Sequence, residues 1–335
     1  MKIRIINMDK IIELLQNYQN FIIVGHEKPD GDAIGSVASL TNFLNENGKN
    51  AKAVCLDEIP DKFKNIIPCS FCKTITLDEI NANDVLLVLD SARTSRINLP
   101  KDFTLNEVKI PIINIDHHID NDVVGTVNFV NSSAAATAEI IANLAELAEK
   151  KYNWNLGKNS AEMCYLGIVT DSGSFKFTNT TAQTFSTASY LLSKGVDINK
   201  INNAAYFSKK INQLRFEAEM VKDYLRCDLE GRYIHASMPQ ELFDKYNFNM
   251  KDGETVIEYL REIDTAIIVA LLYPKGDAVK VSLRSKNSKY PVGPIARKFN
   301  GGGHEMAAGI TFENHSFSEV DKLLYDAIKE ALDNK

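Results

Sequence analysis

No apolar run in this chain approaches the roughly 20 residues that a helix needs to cross a bilayer. The N-terminal MKIRIINMDKIIELLQ carries acids and amides where a signal peptide keeps its apolar core, so a cytoplasmic protein without a membrane partner is expected. Proline is scarce, at 9 of 335 residues, and hydrophobic residues reach 44% against 24% charged. That balance excludes a disordered chain, and neither repeats nor low-complexity segments interrupt it. The cysteines, Cys55, Cys69, Cys72, Cys164 and Cys227, are few, odd in number and unevenly spaced, which argues against a disulfide framework. Cys69 and Cys72 form a C-x-x-C, but no second pair or suitably spaced histidine accompanies them, so half-buried thiols are expected there rather than zinc or redox chemistry. Surplus positive charge is missing too. A net charge of −6 argues against a dedicated binder of long duplex nucleic acid.

What the chain has is length for two cores. Residues 1–190 carry 17 basic and 23 acidic side chains and residues 191–335 carry 21 of each, so the whole acidic excess lies in the first part. Near-continuous Val/Ile/Leu runs at Phe21 to Gly25, Ala51 to Leu56, Val85 to Leu89 and Ile110 to Ile115 read as strands of a parallel sheet, with a helix from Ala33 to about Asn47. Helical periodicity follows at Ala134 to Lys151, Ser160 to Val169, Thr181 to Gly195 and Ile198 to about Arg226. Strands then return at Arg232 to Ser237, Ala266 to Tyr273, Ala278 to Leu283 and Met306 to Phe312, separated by helices at Glu254 to Ile263, Pro294 to Asn300 and Ser318 to Leu332. The fold class is α/β: an N-terminal parallel-sheet domain with helices on both faces (1–190), a helical connector (191–229) and a smaller C-terminal α/β domain (230–335).

Four segments end an apolar strand or enter a helix with metal-ligand residues: His26-x-x-x-Asp30-x-Asp32, Asp90, Asp116-His117-His118 and Asp171. In a parallel sheet the carboxyl ends of the strands lie side by side, so these residues converge on one crevice. So many carboxylates together resist joint ionisation unless cations neutralise them. Oxygen and imidazole donors without thiolate suit divalent ions, Mn2+ foremost, with Mg2+, Co2+ or Fe2+ also compatible. In the C-terminal part, Lys280 to Lys298 holds six basic residues and no acid. Just beyond it, Gly301, Gly302 and Gly303 free backbone amides to meet an anion, while His304 and Arg284 add donors. Taken alone, that glycine run reads equally as a helix stop.

GHEKPDGDAIGS, LVLDSA, DHH, GIVTDSGSF and GGGHEMAAG occur in the order found in the DHH phosphoesterase superfamily with its DHHA1 domain, which the chain resembles over nearly its whole length. Its compact two-domain form is similar to the nanoRNase/pAp phosphatase group. The resemblance implies that His26 and Asp30 bind one metal and Asp32, His117 and Asp171 the other, with Asp90 bridging. It implies that Asp116 supports His117 and that His118 faces the phosphoryl group, and it makes Arg284 and Gly301 to His304 a substrate-binding set. Phe175 and Phe177 are open between stacking a base and packing the core. The implied substrates are short RNA oligonucleotides, cut to nucleoside 5′-monophosphates, and adenosine 3′,5′-bisphosphate (pAp). A phosphodiesterase acting on cyclic di-AMP or pApA and a non-catalytic nucleotide-binding protein are the alternatives. A homodimer is compatible with this form.

Overall fold

Uninterrupted Val, Ile and Leu runs bury both faces of a strand, and here they build the centre of a parallel sheet. The computed structural model describes residues 4–5, 7–100, 103, 105, 109–122, 125–248 and 256–333. The chain divides into two compact units, Met1–Ser208 and Lys209–Lys335. The division falls within the stretch expected to be a connector.

The first unit holds strands β1 (Arg4–Ile5), β2 (Asn20–Val24), β3 (Asn50–Val54), β4 (Phe71–Cys72), β5 (Asp84–Leu89), β6 (Ile112–Asp116) and β7 (Val127–Val130). They pair in the order β1-β7-β6-β5-β2-β3-β4, every pair parallel. From β2 the chain winds outward to β3 and β4, then returns to β5 on the other side of β2. The crevice outside the carboxyl ends of β2 and β5 is therefore the topological switch point, the place where such sheets put their ligands.

Its helices are α1 (Met8–Asn17), α2 (Gly31–Glu46), α3 (Asp61–Lys64), α4 (Thr137–Tyr152), α5 (Lys158–Asp171), α6 (Ala182–Ser193) and α7 (Ile198–Tyr206). Ile11 and Leu15 of α1, Leu40 and Phe43 of α2, Ile140 and Leu144 of α4 and Leu166 of α5 form one core with Phe21, Ile23, Leu87 and Ile113 of the sheet. Each such fully buried side chain contributes about 1.5–3 kcal/mol. The opposite face is thinner than the expected helical layer. Ile22, Val24, Leu86, Val88 and Ile112 are covered there by Ile75, Ile97 and Leu99, from segments in which the described residues form 3-10 turns at Leu77–Glu79 and Thr94–Arg96. Two glycines draw α2, α4 and α5 together: a Cβ on Gly35 would stand 2.5 Å from the Met163 carbonyl oxygen, and one on Gly167 2.4 Å from the Ala138 Cβ.

In the second unit, strands β8 (Leu225–Asp228), β9 (Tyr233–Ser237), β10 (Ile268–Lys275), β11 (Ala278–Ser285), β12 (Gly302–Gly303) and β13 (Ala307–Glu313) form a sheet ordered β12-β13-β11-β10-β9-β8. Only β9 and β10 pair in parallel. Alternation along β10 splits its residues between two cores. Ile268 and Leu272 face α11 (Gly293–Lys298) and α12 (Phe317–Asp333), and Val269 and Leu271 face α8 (Ile211–Glu219), α9 (Gln240–Tyr246) and α10 (Val256–Glu262).

The helical reading of Ile198 to Arg226 needs correction. α7 ends at Tyr206, α8 runs over Ile211–Glu219, a π-helical turn occupies Met220–Tyr224, and Leu225–Asp228 is strand β8, paired antiparallel with β9. Four residues are too few for periodicity to reveal a strand; the hydrogen bonds of β9 decide it. The helix expected from Ala134 begins at Thr137, and residues 254–255 of the expected helix at Glu254 to Ile263 lie outside the described residues. No helix among the described residues is long and apolar enough to cross a membrane.

Candidate functional site

His26 follows β2, Asp90 follows β5, Asp116 ends β6 with His117 and His118 behind it, Asp30 caps α2, and Asp171 ends α5. The fold gathers these residues, with Asp32 from the first turn of α2, at the carboxyl edge of the sheet. Three groups of them present ligand atoms within 4.8 Å of one another: His26, Asp30 and Asp90; Asp32, His117 and Asp171; and Asp90, Asp116, His117 and His118. Asp90 belongs to two of the three.

Main-chain contacts settle which ring nitrogen points inward. His26 Nδ1 lies 2.7 Å from the Glu27 carbonyl oxygen and His117 Nδ1 lies 3.4 Å from that of Ala134. A carbonyl can only accept, so each Nδ1 donates and each Nε2 faces the carboxylates. Burial opposes charge on His26, but Asp30 and the Glu27 carbonyl outweigh it and raise the imidazole, so a proton or a metal cation can occupy that Nε2. His26 Nε2 is 3.7 Å from Asp30 and 3.6 Å from Asp90. His117 Nε2 is 3.9 Å from Asp32, 3.6 Å from Asp90 and 3.5 Å from Asp171. A lone pair aimed at carboxylate oxygens is unfavourable unless a cation lies between them. Donors each about 2.1 Å from one ion stand roughly 3–3.5 Å apart, so these separations fit shared coordination better than hydrogen bonding.

The carboxylates respond as a crowded set should. Burial, then the charges of Asp32, Asp30, Asp116 and Asp171, pushes the Asp90 carboxyl well above the usual range. Asp171 is pushed up to about 8 by burial and then by Asp32 and Asp30. Asp32 is raised by burial against the pull of His117, although it accepts from the amides of Thr137 at 2.6 Å and Ala138 at 2.9 Å and from Ser36 Oγ at 3.1 Å. Divalent cations would relieve all three.

Asp116 and His118 behave differently. Asp116 Oδ1 accepts from the amide of His117 at 2.8 Å and from His118 Nδ1 at 2.7 Å, and its other oxygen accepts from Asn121. Burial would raise its carboxyl, but the His118 and Asn121 contacts outweigh that and hold it low. Burial likewise opposes charge on His118, yet the bond to Asp116 and its charge keep the imidazole above its ordinary value. The His118 ring is over a third exposed.

In the second unit Arg284 lies opposite Ala307 in the β11–β13 register, and Gly303 lies opposite Ala308 across β12–β13. The His304 amide donates to the Ala307 carbonyl at 2.8 Å, turning the chain at the same end of the sheet. The Gly301 amide closes α11 by donating to the Ala296 carbonyl at 2.8 Å, while Gly302, Gly303 and His304 are exposed. Of the basic stretch, Arg297 pairs with Glu305 at 3.0 Å and Lys298 with Glu330 at 2.6 Å. Phe175 stacks on Phe185 at 5.2 Å against the first core, whereas Phe177 is half exposed beside Gly173. Sequence reasoning missed Thr137, Asn121 and Ser36, which hold the aspartates. Only Thr137 carries a signal, as a lone hydroxyl in the alanine-rich run Ala134 to Ala138.

The family model described as DHH family, N-terminal domain, matches residues 20–168, and that of the DHHA1 domain matches residues 230–334. A protein of Thermus thermophilus named bifunctional oligoribonuclease and PAP phosphatase NrnA is 28% identical over 330 residues, spanning 97% of this chain and 94% of its own. The protein of the same name from Bacillus subtilis is 28% identical over 327 residues, spanning 95% and 96%. The crystal structure of an exopolyphosphatase-related protein from Bacteroides fragilis superposes with a TM-score of 0.85 at 25% identity, covering 96% of this chain and 95% of that one.

Proposed function

This chain belongs to the DHH family and carries its DHHA1 domain, and from that premise we propose a two-metal phosphoesterase with two substrate classes. It cuts very short oligoribonucleotides to nucleoside 5′-monophosphates and removes the 3′-phosphate of adenosine 3′,5′-bisphosphate. The observation that carries this reading is the placement of Asp90, a buried carboxylate 3.6 Å from both the His26 and the His117 Nε2 atoms. One carboxylate shared by two imidazole-bearing groups is the arrangement that a pair of ions needs.

His26, Asp30 and Asp90 would hold one ion and Asp90, Asp32, His117 and Asp171 the other, with manganese favoured by the oxygen and imidazole donors. When bound, the ions supply an activated water at neutral pH and neutralise phosphate oxygens during in-line attack. The protein contributes orientation and proton management. His118, whose imidazole Asp116 raises above its ordinary value, would donate to a phosphoryl or leaving oxygen. Arg284, Gly301, Gly302, Gly303 and His304 would bind a terminal phosphate or base. The names of the two curated relatives support the choice of substrates.

An initial-rate panel with Mn2+ tests the reading, comparing a diribonucleotide, adenosine 3′,5′-bisphosphate, pApA, cyclic di-AMP and pyrophosphate. The diribonucleotide and the bisphosphate should be turned over fastest. Dominant hydrolysis of pyrophosphate or of the cyclic compound would overturn the substrate assignment.

A further inference from the structure

The first turn of α4 faces the aspartates. A helix start leaves backbone amides without partners, and a side chain of the residue before it usually supplies an acceptor. Before α4 that residue is Ala136, which has none. The amides of Thr137 and Ala138 instead donate to Asp32 of α2, at 2.6 and 2.9 Å. The cap of α4 is therefore one of the proposed metal ligands.

The Thr137 hydroxyl is committed in the same way. Within helices, threonine commonly bonds back to the carbonyl one turn earlier, as Thr41 does to Val37 at 2.7 Å and Thr170 to Leu166 at 2.9 Å. Thr137 opens its helix and has no such turn behind it. Its Oγ1 donates to Asp90 Oδ1 at 3.1 Å, and among the described residues this is the one hydrogen bond that the Asp90 side chain receives. Thr137 is fully buried and Asp90 nearly so. Asp90 also sits at φ +53, so its backbone is held in a sparsely populated region and its carboxylate direction depends on what grips the oxygens.

We propose that Thr137 is a positioning residue for the metal pair: its hydroxyl aims the shared carboxylate of Asp90 while its amide aims Asp32. One residue would thus set the orientation of ligands 105 and 47 positions away in sequence. The inference rests on the two-metal reading above and adds to it a named support for the shared ligand.

The test uses the full chain, stripped of metal and titrated with Mn2+ by calorimetry and by low-temperature electron paramagnetic resonance. Thr137→Val keeps the side-chain shape and removes the hydroxyl. It should weaken binding of at least one ion by about 10–100-fold, the usual loss when the partner of a ligand is removed. The spectrum of two coupled ions should give way to that of isolated ions, and kcat should fall more than KM rises. Thr137→Ser should restore the coupled spectrum. Should the valine variant not fold, Thr137→Ala against Thr137→Ser isolates the hydroxyl equally well. Wild-type affinity and a coupled spectrum in Thr137→Val would overturn the role of Thr137, as would alanine and serine variants that behave alike. Failure of the wild-type protein to bind two neighbouring ions would instead bring down the two-metal reading itself, and this inference with it.

Discussion

The two units bury ionisable groups in opposite ways. In the second, His235 is buried against the ring of Tyr233, with centroids 4.5 Å apart and planes 8° from parallel. Each of its nitrogens has its own carboxylate: Nε2 lies 2.8 Å from Asp228 of β8 and Nδ1 lies 3.0 Å from Asp321 of α12. Burial works against its charge, but the neighbouring Asp321 and Asp228 carboxylates outweigh that and hold the imidazole above its ordinary value. Both aspartates stay partly exposed, so water shares the cost of their charge. In the first unit, five aspartates meet three histidines, two imidazoles turn Nε2 inward, and the contacts of His26 and His117 with carboxylates are 3.5–3.9 Å. The cluster around His235 pairs one imidazole with two carboxylates that water can reach, through a hydrogen bond to Asp228 and an ion-pair contact with Asp321. The other crowds carboxylates that divalent cations would relieve, and this difference separates a structural ion pair from a candidate site.

The largest expected effect comes from removing the shared ligand. Asp90→Ala should lower metal-dependent turnover by about a thousandfold or more, because several kcal/mol of transition-state stabilisation depend on the ion pair. Unchanged phosphate release would end its proposed bridging role. The metal-free protein should move the other way: Asp90→Asn removes a buried, crowded carboxylate and should raise the melting temperature, as relief of functional strain often does.

A middle-sized effect is expected from the second cluster. His235→Gln leaves Asp228 or Asp321 without its imidazole partner and should cost roughly 1–3 kcal/mol in denaturant melts, with the rate of metal-dependent hydrolysis unaltered. A loss of Mn2+ binding in that variant would blur the division of labour drawn here.

The effect most spread out, and smallest at any one pH step, is a pH slope. Asp90 and Asp171 keep their protons in the folded state after the unfolded chain has released them near 3.8, and Asp171 does so up to about 8. The unfolded state then binds fewer protons, so metal-free stability should fall as pH rises between about 4 and 8. Saturating Mn2+ should flatten that part of the slope. His235 adds a decline of its own: its raised value gives stability that is complete below 6.5 and lost as pH climbs through the folded value. The declines from His118 and His235 should both survive added metal, and that of His235 should disappear in His235→Gln, as calorimetry across pH would reveal.

Much of the site was legible because strand ends are marked in sequence. An apolar run followed at once by Asp90 or by Asp116-His117-His118 reads as a ligand at the carboxyl edge of a parallel sheet. The short strands β1, β4, β7, β8 and β12 were not legible, since two to four residues carry no periodicity and owe their conformation to a neighbouring strand. Thr137 and Asn121 were missed for a related reason. Thr137 acts on partners far off in sequence, and the role of Asn121 exists only because Asp116 is buried and needs a second donor.

The sequence carried the resemblance to the DHH family in its ordered motifs, and by itself it determined the chemical kinds of donor and their position at the ends of strands and helices. Those follow from local residue types and from the parallel topology that apolar runs dictate. Tertiary structure alone decided that Nε2 of His26 and His117 faces inward, that Asp90 stands between both groups, and that α4 is capped by Asp32. Such facts depend on hydrogen bonds and on approaches of a few ångströms between distant segments, and only packing sets those.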